Sequence, residues 1–316
     1  MNTAQTLDPL LVVALGGNAL LRRGEPLEPE VQLRNVRLAA AHLARLAGRY
    51  RLVVTHGNGP QVGLLALQNS AGPNAEGFPL DVLDAQTEGM IGYLLEQEIA
   101  NCLPVGRSVA TLLTRVEVDP DDPAFASPSK PIGPVYAKGE GERLARARGW
   151  HLMPDGDGLR RAVPSPKPLR IPGLRSVQTL LRHGSVVICA GGGGIPVAAD
   201  GPDGRMHGVE AVIDKDLVSS LLARQLDADL LMIATDVTEV CLDWGLASQR
   251  AIHSASPAAL RALHFAAGSM GPKVEAACAF TEATSRPSVI GNLADVDRFA
   301  SREAGTWISA DHVGLS

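Results

Sequence analysis

The chain has 316 residues, more than a single hydrophobic core usually serves, so one large α/β domain with two lobes, or two domains, is expected. A net charge of −5 offers no general attraction to phosphate backbones, and 3% aromatic residues leave little on which to stack bases, so nucleic acid is excluded as a partner. The sequence opens without a basic stretch followed by an apolar core, and no apolar run approaches the ~20 residues that span a bilayer, so a cytoplasmic protein with no membrane partner is expected.

In chain order, Leu10-Leu-Val-Val-Ala-Leu15 is a continuous apolar run that ends in Gly16-Gly17. This is the pattern of a strand buried on both faces and feeding a backbone-rich turn. Leu33, Val36, Ala40, Leu43 and Ala47 then recur at helical spacing. The unit repeats with Arg51-Leu-Val-Val-Thr55, the turn His56-Gly-Asn-Gly-Pro60 and a helix that Pro60 can open, since the first helical position needs no donor. Such alternation implies parallel pairing with helices on both sheet faces. A long helix is expected over residues 80–103 and a strand over 109–113.

Residues 119–175 differ in texture, holding ten of the 22 prolines and no sustained apolar period. Ile132, Tyr136, Trp150 and Ile171 give this stretch something to bury, and long structureless loops are rare in compact domains, so an ordered inserted subdomain is expected rather than a linker. The strand pattern resumes at 185–190 and ends in Gly191-Gly-Gly-Gly-Ile-Pro196. A helix over 215–226, a strand over 230–234 leading to Thr235-Asp236-Val237, a short strand near Val240, helices near 257–264 and 272–284, and strands over 287–290 and 306–308 complete the chain. The expected fold is a three-layer αβα sandwich of the α/β class, with a mainly parallel sheet of about eight strands and a small inserted subdomain. Cys102, Cys189, Cys241 and Cys278 are too widely spaced for zinc or a redox dithiol and are expected to be buried thiols. The eight His residues form no metal-binding helical pair, so no protein-borne metal site is expected.

Three strands that end in glycine create backbone N–H groups at strand C-termini, where α/β sheets bind anions. Any one of these turns could equally be a tight connection. The segment Gly57-Asn-Gly59 with Gly63 only loosely imitates a dinucleotide fingerprint, and the absence of a Gly-x-x-x-x-Gly-Lys-Ser/Thr segment excludes a P-loop kinase. Of the 29 basic residues only five are Lys: Lys130, Lys138, Lys167, Lys215 and Lys273. Scarcity alone fits a compositional bias, or Lys kept where a compact ammonium must grip a phosphoryl group. Position separates them. Lys215 stands between Asp214 and Asp216 at an expected helix start, an arrangement that an ordinary N-cap also explains. Lys273 follows Gly268-Ser-Met-Gly-Pro272 in the first turn of a helix, where a cation is unfavourable unless an anion is bound. Lys138 reads as a solvated charge, and Lys167 as a structural or rim residue of the insertion.

Eight segments together resemble the carbamate kinases, a branch of the amino acid kinase family. They are Val12-Val-Ala-Leu-Gly-Gly-Asn-Ala19, Thr55-His-Gly-Asn-Gly-Pro-Gln-Val-Gly63, Gly89-Met-Ile-Gly-Tyr93, Ser129-Lys-Pro-Ile-Gly-Pro134, Val163-Pro-Ser-Pro-Lys-Pro168, Cys189-Ala-Gly-Gly-Gly-Gly-Ile-Pro196, Glu210-Ala-Val-Ile-Asp-Lys-Asp216 and Gly268-Ser-Met-Gly-Pro-Lys273. The resemblance covers nearly the whole chain and implies a single amino acid kinase domain, 1–316. Within it, 1–220 would form a carbamate lobe carrying the lid at 119–175, and 221–316 a nucleotide lobe. It implies reversible phosphoryl transfer between carbamoyl phosphate and ADP, giving carbamate and ATP, with Mg²⁺ carried on the nucleotide, and a homodimer. On that likeness Gly16, Gly17 and Asn18 would hold the transferring group, and Gly57, Asn58 and Gly59 the carbamate end. Lys215, oriented by Asp216, would neutralise the transition state, and Lys130 would close over carbamoyl phosphate. Lys273, Met270, Gly271, Thr235 and Asp236 would serve the nucleotide. A relative acting on another small carboxylate or a nucleotide, or a non-catalytic ligand-binding relative, is the alternative. Glu88 departs from the Gln often found there in the family, so its helix is expected to serve packing or a subunit interface rather than catalysis.

Overall fold

Strand β1 (Leu10–Leu15) is apolar and buried at all six positions because it lies inside a sheet that is covered on both sides. Its alternating side chains divide between two cores, with Leu10, Val12 and Ala14 facing one and Leu11, Val13 and Leu15 the other. Each fully buried Leu or Val of this kind contributes about 1.5–3 kcal/mol. The other strands of the sheet are β2 (Arg51–His56), β3 (Val109–Leu112), β4 (Val186–Cys189), β5 (Leu230–Thr235), β6 (Ser254–Ala255), β7 (Ser288–Asn292) and β8 (Thr306–Ile308). They run β6-β8-β7-β5-β1-β2-β4-β3, and every neighbouring pair is parallel except β7 with β8. The computed structural model describes residues 8–21, 24–26, 28–70, 77–201, 203–266, 268–299 and 301–316, apart from the side chains of Asn18, Ala19 and Ser70.

The seven principal helices are α1 (Pro29–Ala47), α2 (Gly59–Ser70), α3 (Leu80–Cys102), α4 (Lys138–Arg148), α5 (Leu174–Arg182), α6 (Lys215–Gln225) and α7 (Met270–Thr284). Val36 and Leu43 of α1, with Ile91, Leu95 and Ile99 of α3, cover one sheet face. Val177 of α5, Val218 and Leu222 of α6, and Val274 and Phe280 of α7 cover the other, so the three layers expected from the alternating pattern are present. No helix among the described residues is long and apolar enough to cross a membrane.

The proline-rich stretch is ordered. Lys130–Tyr136, Gly158–Val163 and His151–Asp155 form a three-stranded antiparallel sheet, with α4 packed against it. Trp150 lies against Tyr136, ring centroids 6.4 Å apart, with the Arg148 and Arg161 guanidinium carbons 4.9 and 4.8 Å from its own centroid. Stacked cations thus supply contact in a piece with few aromatics to bury. A second sheet, ordered Arg205–Gly208, Ile195–Asp200, Arg115–Val118, Pro168–Arg170, brackets the insertion.

Some expectations are corrected. The strand near Val240 pairs as Val240–Leu242 with Arg250–Ile252 in a separate hairpin, and the two-residue β6 takes the eighth place in the main sheet. The hairpin Ile195–Asp200/Arg205–Gly208 is not among the expected elements, although Gly201-Pro-Asp-Gly204 is a turn sequence, and it joins the remote strand Arg115–Val118. Helix α7 starts at Met270, so Pro272 sits at its third position rather than opening it. Cys189 and Cys278 are buried, but Cys102 ends α3 exposed and Cys241 is half-buried in the small hairpin.

Helix α2 touches the insertion backbone to backbone: a Cβ on Gly63 would stand 2.0 Å from Gly133 Cα and 2.1 Å from Gly133 N. Around this contact Val62, Ala66, Leu83, Ile132 and Val163 form a small core. Gly63→Ala must therefore push the insertion off α2, for no flexible side chain can give way. We expect a loss of about 1–3 kcal/mol in urea unfolding and faster limited proteolysis within 119–175. Unchanged protease resistance would show that the contact is dispensable.

Candidate active site

Three glycine turns follow three adjacent strands, β1, β2 and β4, at one edge of the sheet. The β1–β2 register pairs Leu15 with His56, which brings Gly16-Gly17 and Gly57 side by side. A Cβ at Gly57 would lie 2.8 Å from Gly17 N, so only glycine permits this approach. Gly57 N–H donates to Leu15 O at 3.0 Å, and Gly16 N–H to Ala234 O at 2.8 Å, which ties the turns to the sheet on both sides of β1. The next residues begin helices, the short Gly17–Leu20 segment and α2, whose first N–H groups point outward.

A chain of ion pairs lies beside these turns. Asp214 caps α6, accepting the backbone N–H of Asp216 at 2.9 Å and of Leu217 at 3.4 Å, while its other oxygen holds the ammonium of Lys130. Lys215 and Asp216 occupy the first two positions of α6. The Asp216 carboxylate bridges two ammoniums, Lys215 Nζ at 2.6 Å from Oδ1 and Lys273 Nζ at 2.8 Å from Oδ2. The Lys273 contact is an aligned hydrogen bond. The Lys215 contact is less well aligned, and an ammonium with three N–H groups keeps donors to spare beyond this one partner.

The electrostatics follow from burial. Burial works to raise the Asp216 carboxyl, but the two ammoniums outweigh it and hold the group well below the usual carboxylate range. Burial lowers Lys215 below its ordinary value, with Asp216 opposing and Lys273 reinforcing the shift. For Lys273 burial also works downward, but Asp216 wins and the ammonium is held above its ordinary value.

A cleft of about 1230 Å³ opens over this array. Gly16, Gly17, Gly57, Asn58, Gly59, Lys130, Lys215, Asp216, Thr235, Asp236, Met270 and Lys273, all expected site residues, line it. Gly271 is at the start of α7 but not on the cleft wall, its N–H donating to Ala266 O at 3.0 Å. Asn18 lies in the Gly17–Leu20 helix, and its side chain is outside the described residues. Lys138 and Lys167 are exposed and away from the wall. The sequence reading missed Asp214 as a partner of Lys130, although the Asp-Lys-Asp spacing was visible. It also missed Trp244, Leu263 and Phe265, scattered apolar residues that no motif connects.

Comparison with known proteins agrees with this geometry. The amino acid kinase family pattern matches residues 9–292. A carbamate kinase from Haemophilus influenzae is 55% identical over 306 residues, covering 97% of this chain and 98% of its own. The chain belongs to the carbamate kinases of the amino acid kinase family. A solved carbamate kinase from Giardia lamblia bound to citric acid superposes with a TM-score of 0.88 at 40% identity, covering 96% of this chain and 98% of that one. The same Giardia enzyme bound to AMP-PNP gives 0.85 at 40% identity over equal shares.

In this carbamate kinase α3 does more than pack. Asn58 Nδ2 donates to Asp84 Oδ1 at 3.0 Å and Thr87 Oγ1 at 2.8 Å, and Glu88 accepts backbone N–H groups from Thr114 at 3.0 Å and Gly191 at 2.9 Å. Thus the Glu88 carboxyl is spent on two backbone amides, and α3, which packs on the sheet as expected, also braces two of the glycine turns. Burial raises Asp84 well above the carboxylate range, with the Asn58 hydrogen bond opposing, and raises Glu88 to about 8 against its two N–H donors. Burial lowers His56 to about 4, leaving it a neutral imidazole.

The bridging carboxylate sets an acid limit. The folded value of Asp216 lies below its unfolded one, so its stabilisation is present above about pH 4 and is lost as pH falls toward the folded value. Asp216→Asn strands two buried ammoniums, and we expect it to cost about 3–5 kcal/mol in urea unfolding at pH 7. The difference from the parent should shrink as pH drops below about 4. A gap that does not change with pH would contradict the bridge.

Proposed function

We propose that this enzyme moves a phosphoryl group reversibly between carbamoyl phosphate and ADP, giving carbamate and ATP. A terminal phosphate oxygen of ADP attacks phosphorus, the bond from phosphorus to the carbamoyl oxygen breaks, and carbamate leaves as an anion. The observation that carries this reading is the pair of ammoniums fixed on one carboxylate, beside three backbone turns. Phosphoryl transfer needs positioning and neutralisation of oxygens rather than covalent help from the protein. No general base is required, because carbamate is already an anionic nucleophile in the reverse direction.

In this reading Lys215, on the cleft wall, neutralises the equatorial oxygens with the N–H groups that Asp216 does not take, and Asp216 is its orienter. Gly16, Gly17 and Asn18 cradle the transferring phosphoryl, and Gly57, Asn58 and Gly59 the carbamate end. Lys273 grips the nucleotide phosphates, while Met270, Gly271, Thr235 and Asp236 border the nucleotide. Lys130 rides on the lid and closes over carbamoyl phosphate. Residues 1–220 with the insertion at 119–175 serve as the carbamate lobe, and 221–316 as the nucleotide lobe. The AMP-PNP bound by the Giardia relative supports a nucleotide in the corresponding cleft.

The cleft carboxylates nearest the lysines, Asp214 and Asp216, are both engaged by ammoniums. A Mg²⁺ ion arriving with ATP or ADP would take its oxygens from the phosphates and water, with Asp236 the cleft carboxylate placed toward the nucleotide, and would supply further neutralisation there. A homodimer and a cytoplasmic location belong to the same proposal. Exposed Met90, Tyr93 and Leu113 on and beside α3 are apolar surface that a subunit contact would cover.

Purified enzyme given carbamoyl phosphate and MgADP should form ATP, with Lys215→Ala lowering kcat on the order of 10²–10³-fold. Absence of ATP would refute the substrate assignment, and undiminished turnover in the variant the role of Lys215. Lys130→Ala should raise KM for carbamoyl phosphate about ten-fold or more while leaving KM for MgADP within about two-fold. Equal losses on both substrates would make the insertion only structural.

A further inference from the structure

We infer that Glu88 is a positioning residue for the carbamoyl end of the substrate, acting as an ionisable clamp on the Gly191–Gly194 turn. It touches no substrate in this assignment. Its side chain is 1% exposed, and its two oxygens accept one backbone N–H each, Gly191 at 2.9 Å and Thr114 at 3.0 Å. Thr114 is itself tied to the same turn, because its Oγ1 accepts Ala190 N–H at 2.9 Å and its carbonyl accepts Ile195 N–H at 2.8 Å. One carboxylate therefore closes both ends of a loop that holds four glycines.

The loop reaches the substrate cradle through Asn58. A Cβ on Gly192 would lie 2.2 Å from Asn58 Nδ2, so the turn and the Asn58 side chain are in direct contact, and both line the cleft. Asn58 is held from its other side by Asp84, one helical turn before Glu88, and by Thr87, the residue next to Glu88. Thus α3 reaches two of the three glycine turns, one through an amide side chain and one through a carboxyl. A shift of the Gly191–Gly194 backbone is passed to Asn58 by contact.

Charge state decides how well the clamp works. An ionised carboxylate offers an acceptor to each N–H, whereas protonation places an O–H opposite one of those donors. Gln at the same position would accept from one amide only and turn its own NH₂ toward the other, which imitates the protonated clamp at every pH. Facing Glu88 are His56 of β2, Cys189 of β4 and Asp84 of α3, while Lys215 acts on His56 and β3 brings no titratable group. His56 and Cys189 are held uncharged near neutrality by burial. Asp84 hydrogen-bonds Asn58 and not the two clamped amides.

The role rests on the carbamate kinase reading, so the test has two parts. In the first, amide NMR of the substrate-free protein follows Gly191 and Thr114 from pH 6.5 to 9.5. Both amides should titrate together with an inflection near 8, and Glu88→Gln should remove it. Flat amides, or the same inflection in the variant, overturn the clamp. In the second, KM for carbamoyl phosphate and for MgADP are measured in the ATP-forming direction over pH 7.5–9.5. The parent should lower KM for carbamoyl phosphate on the order of three- to ten-fold as pH rises, with KM for MgADP flat. Glu88→Gln should hold the former at its high value throughout. Parallel changes in both constants, or identical profiles in the two proteins, overturn the positioning role. If Glu88→Gln does not fold, the parent amide titration and KM profiles still decide. An enzyme that makes no ATP from carbamoyl phosphate refutes the functional reading, whereas titrating amides without a KM shift refute only the positioning.

Discussion

Everything at the cleft depends on one buried carboxylate with two cations. Asp216 is 3% exposed and bridges Lys215, the residue before it on α6, and Lys273 on α7. A buried pair usually breaks even against its desolvation cost. Here one acid offsets two bases, so the triad itself keeps a positive surplus, tempered by Asp214 and Asp236 beside it. The fold supports that imbalance by drawing α6 and α7 together on the same face of the sheet, where Val218, Leu222, Val274 and Ala277 pack in one core. The ion triad is thus a consequence of apolar packing, and its surplus charge is what a phosphoryl group would complete.

A second pair extends the arrangement across the insertion. Asp214 serves as helix cap with one oxygen and receives Lys130 with the other. The same residue therefore couples a local backbone need to a long-range contact. Its ordinary capping role hides that second partner from any sequence reading. The two roles require no compromise, since a carboxylate has lone pairs enough for both.

Legibility in the sequence followed the range of the physical cause. Leu10–Leu15 announced a central strand because burial on both faces demands an unbroken apolar run, and the glycine turns announced themselves because close backbone approach admits no other residue. Lys215 and Lys273 stood out because cations at helix starts need an explanation. Other features had no local trace. The sheet formed by Arg115–Val118 and Ile195–Asp200 joins segments far apart, β6 is two residues long, and Trp244, Leu263 and Phe265 meet only through folding. Glu88 was read as a mismatch to a family pattern. Its amide partners, Thr114 and Gly191, come from two different strand ends, which no spacing rule connects to α3.

The insertion enters and leaves through neighbouring strands. Arg115–Val118 and Pro168–Arg170 pair antiparallel, with Arg170 Nε donating to Glu117 Oε2 at 2.7 Å across the seam. Between them the piece carries its own sheet, its own helix and a tryptophan with two guanidiniums against its ring. A segment whose two ends are stapled side by side can tilt as a rigid flap without disturbing the strands that bear the glycine turns. For the lid proposed above, the seam would be the hinge pin and the Gly63–Gly133 contact the doorstop. The travel such a lid would give Lys130 is bounded by where two backbones meet rather than by the looseness of a loop.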